Sequence, residues 1–182
     1  MQKQGRLLLV GLVVVLVGVA LYLAIQASSK SKPVMVTVEE VQAQMEAGQY
    51  AAARDGLEKL VTADPKNAET HFLLGLTYFN LAEYPKAKAS FAQALALEPQ
   101  RAAAVHHNLG VLAYQTGDME TAVTEFKAAL DADANDPDSH YQLGATYLQI
   151  AVSTSDLSYL QLAETEFQQV LVLVPGKPEA LV

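Results

Sequence analysis

Apolar residues fall into two different patterns along this chain. From Leu7 to Ile25 they are continuous: LLLVGLVVVLVGVALYLAI holds no charge in 19 residues. A helix of that length spans about 28 Å, close to the roughly 30 Å hydrocarbon core of a bilayer. Backbone groups in lipid must be paired within the segment, so a helix is the only single-segment solution. Tyr22 lies near its end, where an amphipathic ring suits the interface, and Lys3, Arg6, Lys30 and Lys32 flank it. The pattern predicts a short tail (residues 1–6) and an uncleaved transmembrane signal-anchor (7–25). The alternative is a signal peptide cut after Ala27, but the run exceeds the roughly 7–15 apolar residues usual there. The cations at the start favour a cytoplasmic N-terminus and an extracytoplasmic remainder, a bias that Lys30 and Lys32 weaken. The expected location is therefore a single-pass position in the inner or plasma membrane. Gly11 and Gly18 share a helix face and are the candidates for packing of membrane helices; Ala20 and Ala24 form a small-xxx-small pair. Small residues are also common in membrane helices without such a role. A polar linker (26–33) ends at Pro33.

Beyond the linker the pattern repeats at a period near 34 residues. Gly75 and Gly110 are 35 apart, and Gly110 and Gly144 are 34 apart. Each follows a leucine (Leu74, Leu109, Leu143) and lies four residues after a histidine (His71, His106, His140). A small residue and then an aromatic come downstream: Ala87 and Phe91, Ala122 and Phe126, Ala163 and Phe167. Prolines close units at Pro65, Pro99 and Pro175. Glycine within a helix costs up to about 1 kcal/mol relative to alanine, so its recurrence needs a packing reason. Small residues let two antiparallel helices approach, and the aromatics fill the gap between neighbouring pairs. Turn signals keep the same schedule, with Gly48-Gln49-Tyr50 and Gly117-Asp118-Met119 inside units and Asp64-Pro65 and Glu98-Pro99 between them.

This pattern resembles the tetratricopeptide repeat (TPR), whose 34-residue unit reads W-x₂-L-G-x₂-Y, then A-x₃-F, then P. The unit over 68–102 matches best, with Leu74, Gly75, Tyr78, Ala87, Phe91, Ala94 and Pro99, and His71 in place of tryptophan. The unit over 103–136 keeps Leu109, Gly110, Ala122, Phe126 and Ala129, with Ala113 and Ala134 at the tyrosine and proline positions. The unit over 137–177 keeps Leu143, Gly144, Tyr147, Ala163, Phe167 and Pro175. The unit over 34–67 is degenerate, retaining Gly48, Tyr50, Ala53 and Pro65. The resemblance covers about Val34 to Pro175 and implies a solenoid of about four helix-turn-helix repeats; with the transmembrane helix read from the apolar run, the expected fold is all-α, ending in a tail (178–182).

Two departures stand out. The fourth unit has 18 residues between Gly144 and Ala163 against 11 between Gly75 and Ala87. The insertion near 151–159 predicts a longer helix pair or a protruding loop, with Ser155 or Asp156 as N-cap of the resumed helix. Solenoids usually end in a capping element with a polar outer face, and none is apparent after Pro175. The last helix, around Leu162–Val174, is expected to expose Val170, Leu171 or Leu173 and so to offer a contact surface, unless the repeat simply frays.

Charge and composition narrow the function. The chain carries 12 basic and 20 acidic residues, and four of the bases precede Pro33 while every acid follows it. The remainder has a net charge of −12, the opposite of a nucleic-acid footprint. There is no cysteine, which removes thiol chemistry, disulfides and thiolate metal sites. No P-loop, dinucleotide fingerprint, HExxH or GxSxG occurs. His71, His106 and His140 occupy equivalent places on stacked units roughly 10 Å apart, too far for one ion with bonds near 2.1 Å. They are expected to pack in the core in place of tryptophan. Asp131-Ala-Asp133-Ala-Asn135 begins like a calcium loop but has Asp136 and Gln142 where glycine and glutamate are needed. An acidic turn between repeats is the simpler reading. No catalytic residue, metal, cofactor or small-molecule substrate is expected.

By the resemblance, the first helix of each unit lines a concave groove. The positions that map there are Glu69, Phe72, Leu76, Phe79 and Asn80, then His107, Val111, Tyr114 and Gln115, then Asp138, Tyr141, Leu148 and Gln149. That surface is aromatic and apolar with amide and acidic edges, unless some of these residues pack against the chain itself. None is basic. Of the family's carboxylate clamp for chaperone C-termini only Asn108 remains, so that activity is rejected. The expected ligand is an apolar or aromatic protein segment, as helix or extended peptide, with basic flanks. Two roles compete: an adaptor assisting assembly or maturation of membrane or envelope proteins, and a permanent non-catalytic subunit of a membrane complex. An enzyme is the remaining class, and no catalytic constellation speaks for it.

Overall fold

The computed structural model describes residues 36–175. The expectations for the tail, the apolar segment with Gly11 and Gly18, the linker and residues 178–182 lie outside that range. Among the described residues eight α-helices follow one another: α1 (Val38–Glu46), α2 (Tyr50–Ala63), α3 (Ala68–Asn80), α4 (Tyr84–Leu97), α5 (Ala102–Thr116), α6 (Met119–Ala132), α7 (Pro137–Thr154) and α8 (Ser158–Leu173). A 3₁₀ turn, Pro99–Arg101, precedes α5. Among the described residues there is no strand, and no helix is long and apolar enough to cross a membrane.

Local chemistry sets the helix starts. Thr37, Asn67, Asp118 and Asp136 each accept the backbone N–H of a residue three places on, at 3.0–3.2 Å. Such caps satisfy donors that a helix leaves unpaired. At Asp118 the hydroxyl and amide of Thr121 hold the carboxyl below its ordinary range. Within each pair the connection passes through the left-handed region: Gly48 (φ 70°), Ala82 (φ 58°), Gly117 (φ 83°) and Ser155 (φ 60°). Glycine adopts this conformation freely; alanine does so only at a cost.

The helices pair as α1/α2, α3/α4, α5/α6 and α7/α8, and successive pairs pack on one another. The glycines show why. A Cβ at Gly75 would lie 2.6 Å from the Phe91 ring, one at Gly110 2.6 Å from the Phe126 ring, and one at Gly144 2.8 Å from Phe167. Phe91 and Phe126 are fully buried, as are Ala87 and Ala122 beside them. The degenerate first unit solves the same problem in reverse. Val41 stands where the others have glycine, and Gly56 on the facing helix makes room: a Cβ there would meet Val41 at 2.8 Å. Bulk and gap have changed helices.

The insertion lengthens both helices of the last pair. α7 has 18 residues and α8 16, against 13 and 14 in α3 and α4. Ser155 ends α7 in the left-handed region. Asp156, not Ser155, serves the start of α8, accepting the N–H of Ser158 at 2.9 Å.

Two expectations are corrected. Val170 is 1% exposed, and Leu171 and Leu173 are half-buried; Val172 is the exposed residue at that end. The helical period puts 170 on the covered face of α8 and leaves 172 outward. Of the three histidines expected in the core, His71 is buried while His106 and His140 are not fully so, and all three hold polar partners. His71 is buried with Nε2 3.0 Å from the Pro65 carbonyl. His106 and His140 are half-buried, each with Nδ1 2.7 Å from a carboxylate of the second helix of its unit, Glu125 and Glu166. An imidazole brings two polar atoms that burial obliges to find partners, so it ties helices together where an indole ring would mainly fill space.

Candidate functional site

Helices α3, α5 and α7 carry the residues that sequence mapping assigns to a concave face. The three pack in succession, α3 on α5 and α5 on α7. Phe72, Leu76 and Phe79 on α3 are half-buried and rest on the core formed by Leu57, Leu74, Phe91 and Val105. Val111, Tyr114 and Leu148 rest in the same way on the core around Phe126, Leu143 and Tyr147. Tyr141 is 39% exposed, its ring 5.8 Å from Phe167. Asn80, Gln115 and Gln149 are exposed, and the Asn80 amide donates to the Leu76 carbonyl at 2.9 Å. Each apolar member therefore splits its surface between core and solvent. It is anchored by the one side and available on the other, which suits a preformed recognition face.

His107 and Glu69 are also engaged within the chain. The Ser139 hydroxyl donates to Asp136, so it accepts from Nδ1–H of His107, 2.8 Å away. That bond links α5 to α7 and sets the His107 ring 5.9 Å from Phe126. Glu69 meets Arg101 at 2.6 Å, and the guanidinium stands 5.8 Å from the centre of the Phe72 ring. Burial alone would lower the Arg101 pKa; the bonds and charges of Glu98 and Glu69 outweigh it and hold the group above its ordinary value. Sequence mapping missed this cation because it lies outside the first helix, in the turn after Pro99. The signal was present: Arg101 is the basic residue two places after a unit-closing proline.

A second feature also escaped sequence reading. The lengthened last pair and α6 enclose a cleft of about 630 Å³, lined by Met119, Val123, Lys127, Tyr147, Ile150 and Leu162 among others. Lys127 lies 5.9 Å over the Tyr147 ring. No group of three His, Asp or Glu side chains that could hold a metal occurs among the described residues.

The sequence profile described as Tetratricopeptide repeat matches residues 38–87 and 72–137, together more than half of the chain. The chain belongs to the tetratricopeptide repeat family. No curated protein sequence matches it. Among solved structures, a crystal structure of MamA superposes with a TM-score of 0.65 at 21% identity, over 79% of this chain and 78% of that one. PilF of Pseudomonas aeruginosa gives 0.66 at 23% identity, over 78% and 61%. YrrB, described as a TPR protein with an unusual peptide-binding site, gives 0.61 at 18% identity, over 85% and 75%. At these identities the likeness is one of fold. The TPR fold makes this chain a protein-interaction scaffold.

Proposed function

We propose that this TPR protein is a membrane-anchored adaptor that receives an apolar or aromatic segment of a partner protein along α3, α5 and α7. The observation that carries the reading is the row of half-exposed apolar side chains, Phe72, Leu76, Phe79, Val111, Tyr114, Tyr141 and Leu148, on three consecutive first helices. Large rings held rigidly from behind give contact area at low entropic cost. The described residues carry 7 basic and 19 acidic groups, so a partner with basic flanks is steered toward the domain. The uncharged segment Leu7–Ile25 supports anchoring, and with it a role in assembling or maturing membrane or envelope proteins at the extracytoplasmic face.

The test is crosslinking and pull-down from membranes, with the intact chain, a chain lacking residues 1–32, and the variants Phe79→Ala and Tyr114→Glu. Loss of partners in the two variants with helicity unchanged supports the groove. Loss of helicity would show these residues to be core and sink the assignment. Partners that vanish with residues 1–32 would instead make recognition a property of the apolar segment and the protein a fixed subunit of a membrane complex.

A further inference from the structure

The cleft between α6, α7 and α8 repeats a junction found earlier in the array, with one group missing. Where α3 packs on α2, the Tyr78 hydroxyl donates to Glu58 at 2.7 Å, and Lys86 lies 5.1 Å over the same ring. Where α7 packs on α6, Tyr147 holds the place of Tyr78, each three residues after its helix glycine. The place of Glu58, five residues after the buried Ala53, falls to Lys127, five after the buried Ala122. The place of Lys86, just before Ala87, falls to Leu162, just before Ala163. The ammonium has thus moved to α6, 5.9 Å over the Tyr147 ring, and the acid has gone. Among the described residues the Tyr147 hydroxyl has no hydrogen-bond partner and Lys127 no carboxylate.

The space at this junction is about 630 Å³, a size that suits recognition of a few side chains. On α6, Val123 and Lys127 are four residues apart and share one face. The facing wall includes Ile150, from the part of α7 that exceeds the 13-residue length of α3, and Leu162 of α8. The cleft therefore joins apolar walls to a phenol and an ammonium. Glu120 lines it two turns from Lys127, about 10 Å along α6.

We propose that this cleft takes a glutamate side chain of a partner protein, carried in an otherwise apolar segment, with the carboxylate accepting from the Tyr147 hydroxyl and pairing with Lys127. The partner's acid supplies the group that Glu58 supplies within the chain at the junction of α2 and α3. A hydrogen bond to an ionised acceptor beside a cation is the stronger kind. Apolar neighbours of that glutamate cover Val123, Ile150 and Leu162, the last of which is 44% exposed. One acid is the limit, because Glu120 and the acidic excess of the domain repel a second. The site is built on α6, α8 and the end of α7, so it does not depend on the row of half-exposed side chains along α3, α5 and α7.

The chain contains no tryptophan, so the blocked tripeptide acetyl-Leu-Glu-Trp-amide reports its own binding to the full-length protein through the anisotropy of its indole emission. The acidic peptide is expected to bind at least about tenfold tighter than its glutamine counterpart, and less tightly as salt rises. Lys127→Glu, which restores an internal acid to Tyr147, abolishes binding. Tyr147→Phe weakens it by about tenfold. Lys59→Glu, an equal change of charge at an exposed position of α2, leaves it unchanged. Far-UV circular dichroism should be the same for all variants. Equal affinity for the two peptides, or no binding of the acidic one, overturns the inference. So does equal weakening by Lys59→Glu and Lys127→Glu, which would reduce the attraction to bulk charge. Acetyl-Leu-Gln-Trp with a free C-terminal carboxylate is the remaining probe; binding as tight as that of the glutamate peptide would make a chain end the occupant and overturn the side-chain assignment.

Discussion

Replacing Gly110 by alanine tests the packing logic of the repeat and its link to the candidate face. The added Cβ would stand 2.6 Å from Cδ1 and Cε1 of Phe126, where ordinary contact begins at 3.4 Å. The ring must therefore retreat by close to 1 Å. It has little space to do so, being 0% exposed and backed by the His107 ring 5.9 Å away. Overpacking of this kind costs about 1–3 kcal/mol. Alanine returns up to about 1 kcal/mol through its helix propensity. The net expectation is a loss of about 1–2 kcal/mol, or a melting temperature lower by about 3–8 °C for a domain of this size. Thermal melts followed by far-UV circular dichroism measure it. Adding Phe126→Leu removes the clash, so the double variant should lose at least about 1 kcal/mol less than the two singles summed. A melting temperature for Gly110→Ala equal to or above that of the parent would refute the argument, because propensity would then outweigh contact. The substitution also presses Phe126 toward His107, so it should weaken partner capture while most of the fold survives.

Two other expectations follow from turn geometry and burial. Ala82→Gly relieves a left-handed alanine (φ 58°), and should stabilise by about 0.5–1 kcal/mol once the added freedom of the unfolded chain is subtracted. Gly117→Ala at φ 83° should move the melting temperature the other way; shifts of the same sign would contradict the reading. Tyr78 is 7% exposed and its hydroxyl donates to Glu58 at 2.7 Å. Burial, then that bond, pushes its pKa up to about 12 from 10.0. The folded chain thus keeps a proton that the unfolded chain releases, so this contribution is whole below pH 10 and lost as pH rises through about 12. It amounts to about 3 kcal/mol at most. Denaturant titrations between pH 9 and 12 should show Tyr78→Phe losing stability less steeply than the parent, and parallel profiles would dismiss the coupling.

Much of the repeat was legible because its residues are constrained by near neighbours. Gly75, Gly110 and Gly144 announce a close approach, and the aromatic of the same unit, Phe91, Phe126 or Phe167, supplies the bulk. Asp118 and Asp136 announce helix starts for purely local reasons. The first unit was harder to read, since exchanging bulk and gap between Val41 and Gly56 preserves the packing while erasing the motif. The histidines misled because their place in the motif is an apolar one, whereas the Glu125 and Glu166 that engage two of them lie 19 and 26 residues away.

By itself, then, the sequence determined an all-α repeat of four helix pairs, a strongly acidic domain and an uncharged 19-residue segment ahead of it. These depend on composition and on spacing within one unit, where the chain's own geometry limits which residues can meet. Tertiary structure decided what depends on contact between residues far apart in sequence: the binding of Arg101 to Glu69 over Phe72 and the His107–Ser139 link. It also decided which part of each candidate-face side chain belongs to the core and which to solvent. Periodicity selects the face of a helix, but how far the neighbouring pair covers that face depends on how pairs stack, and no single unit encodes that.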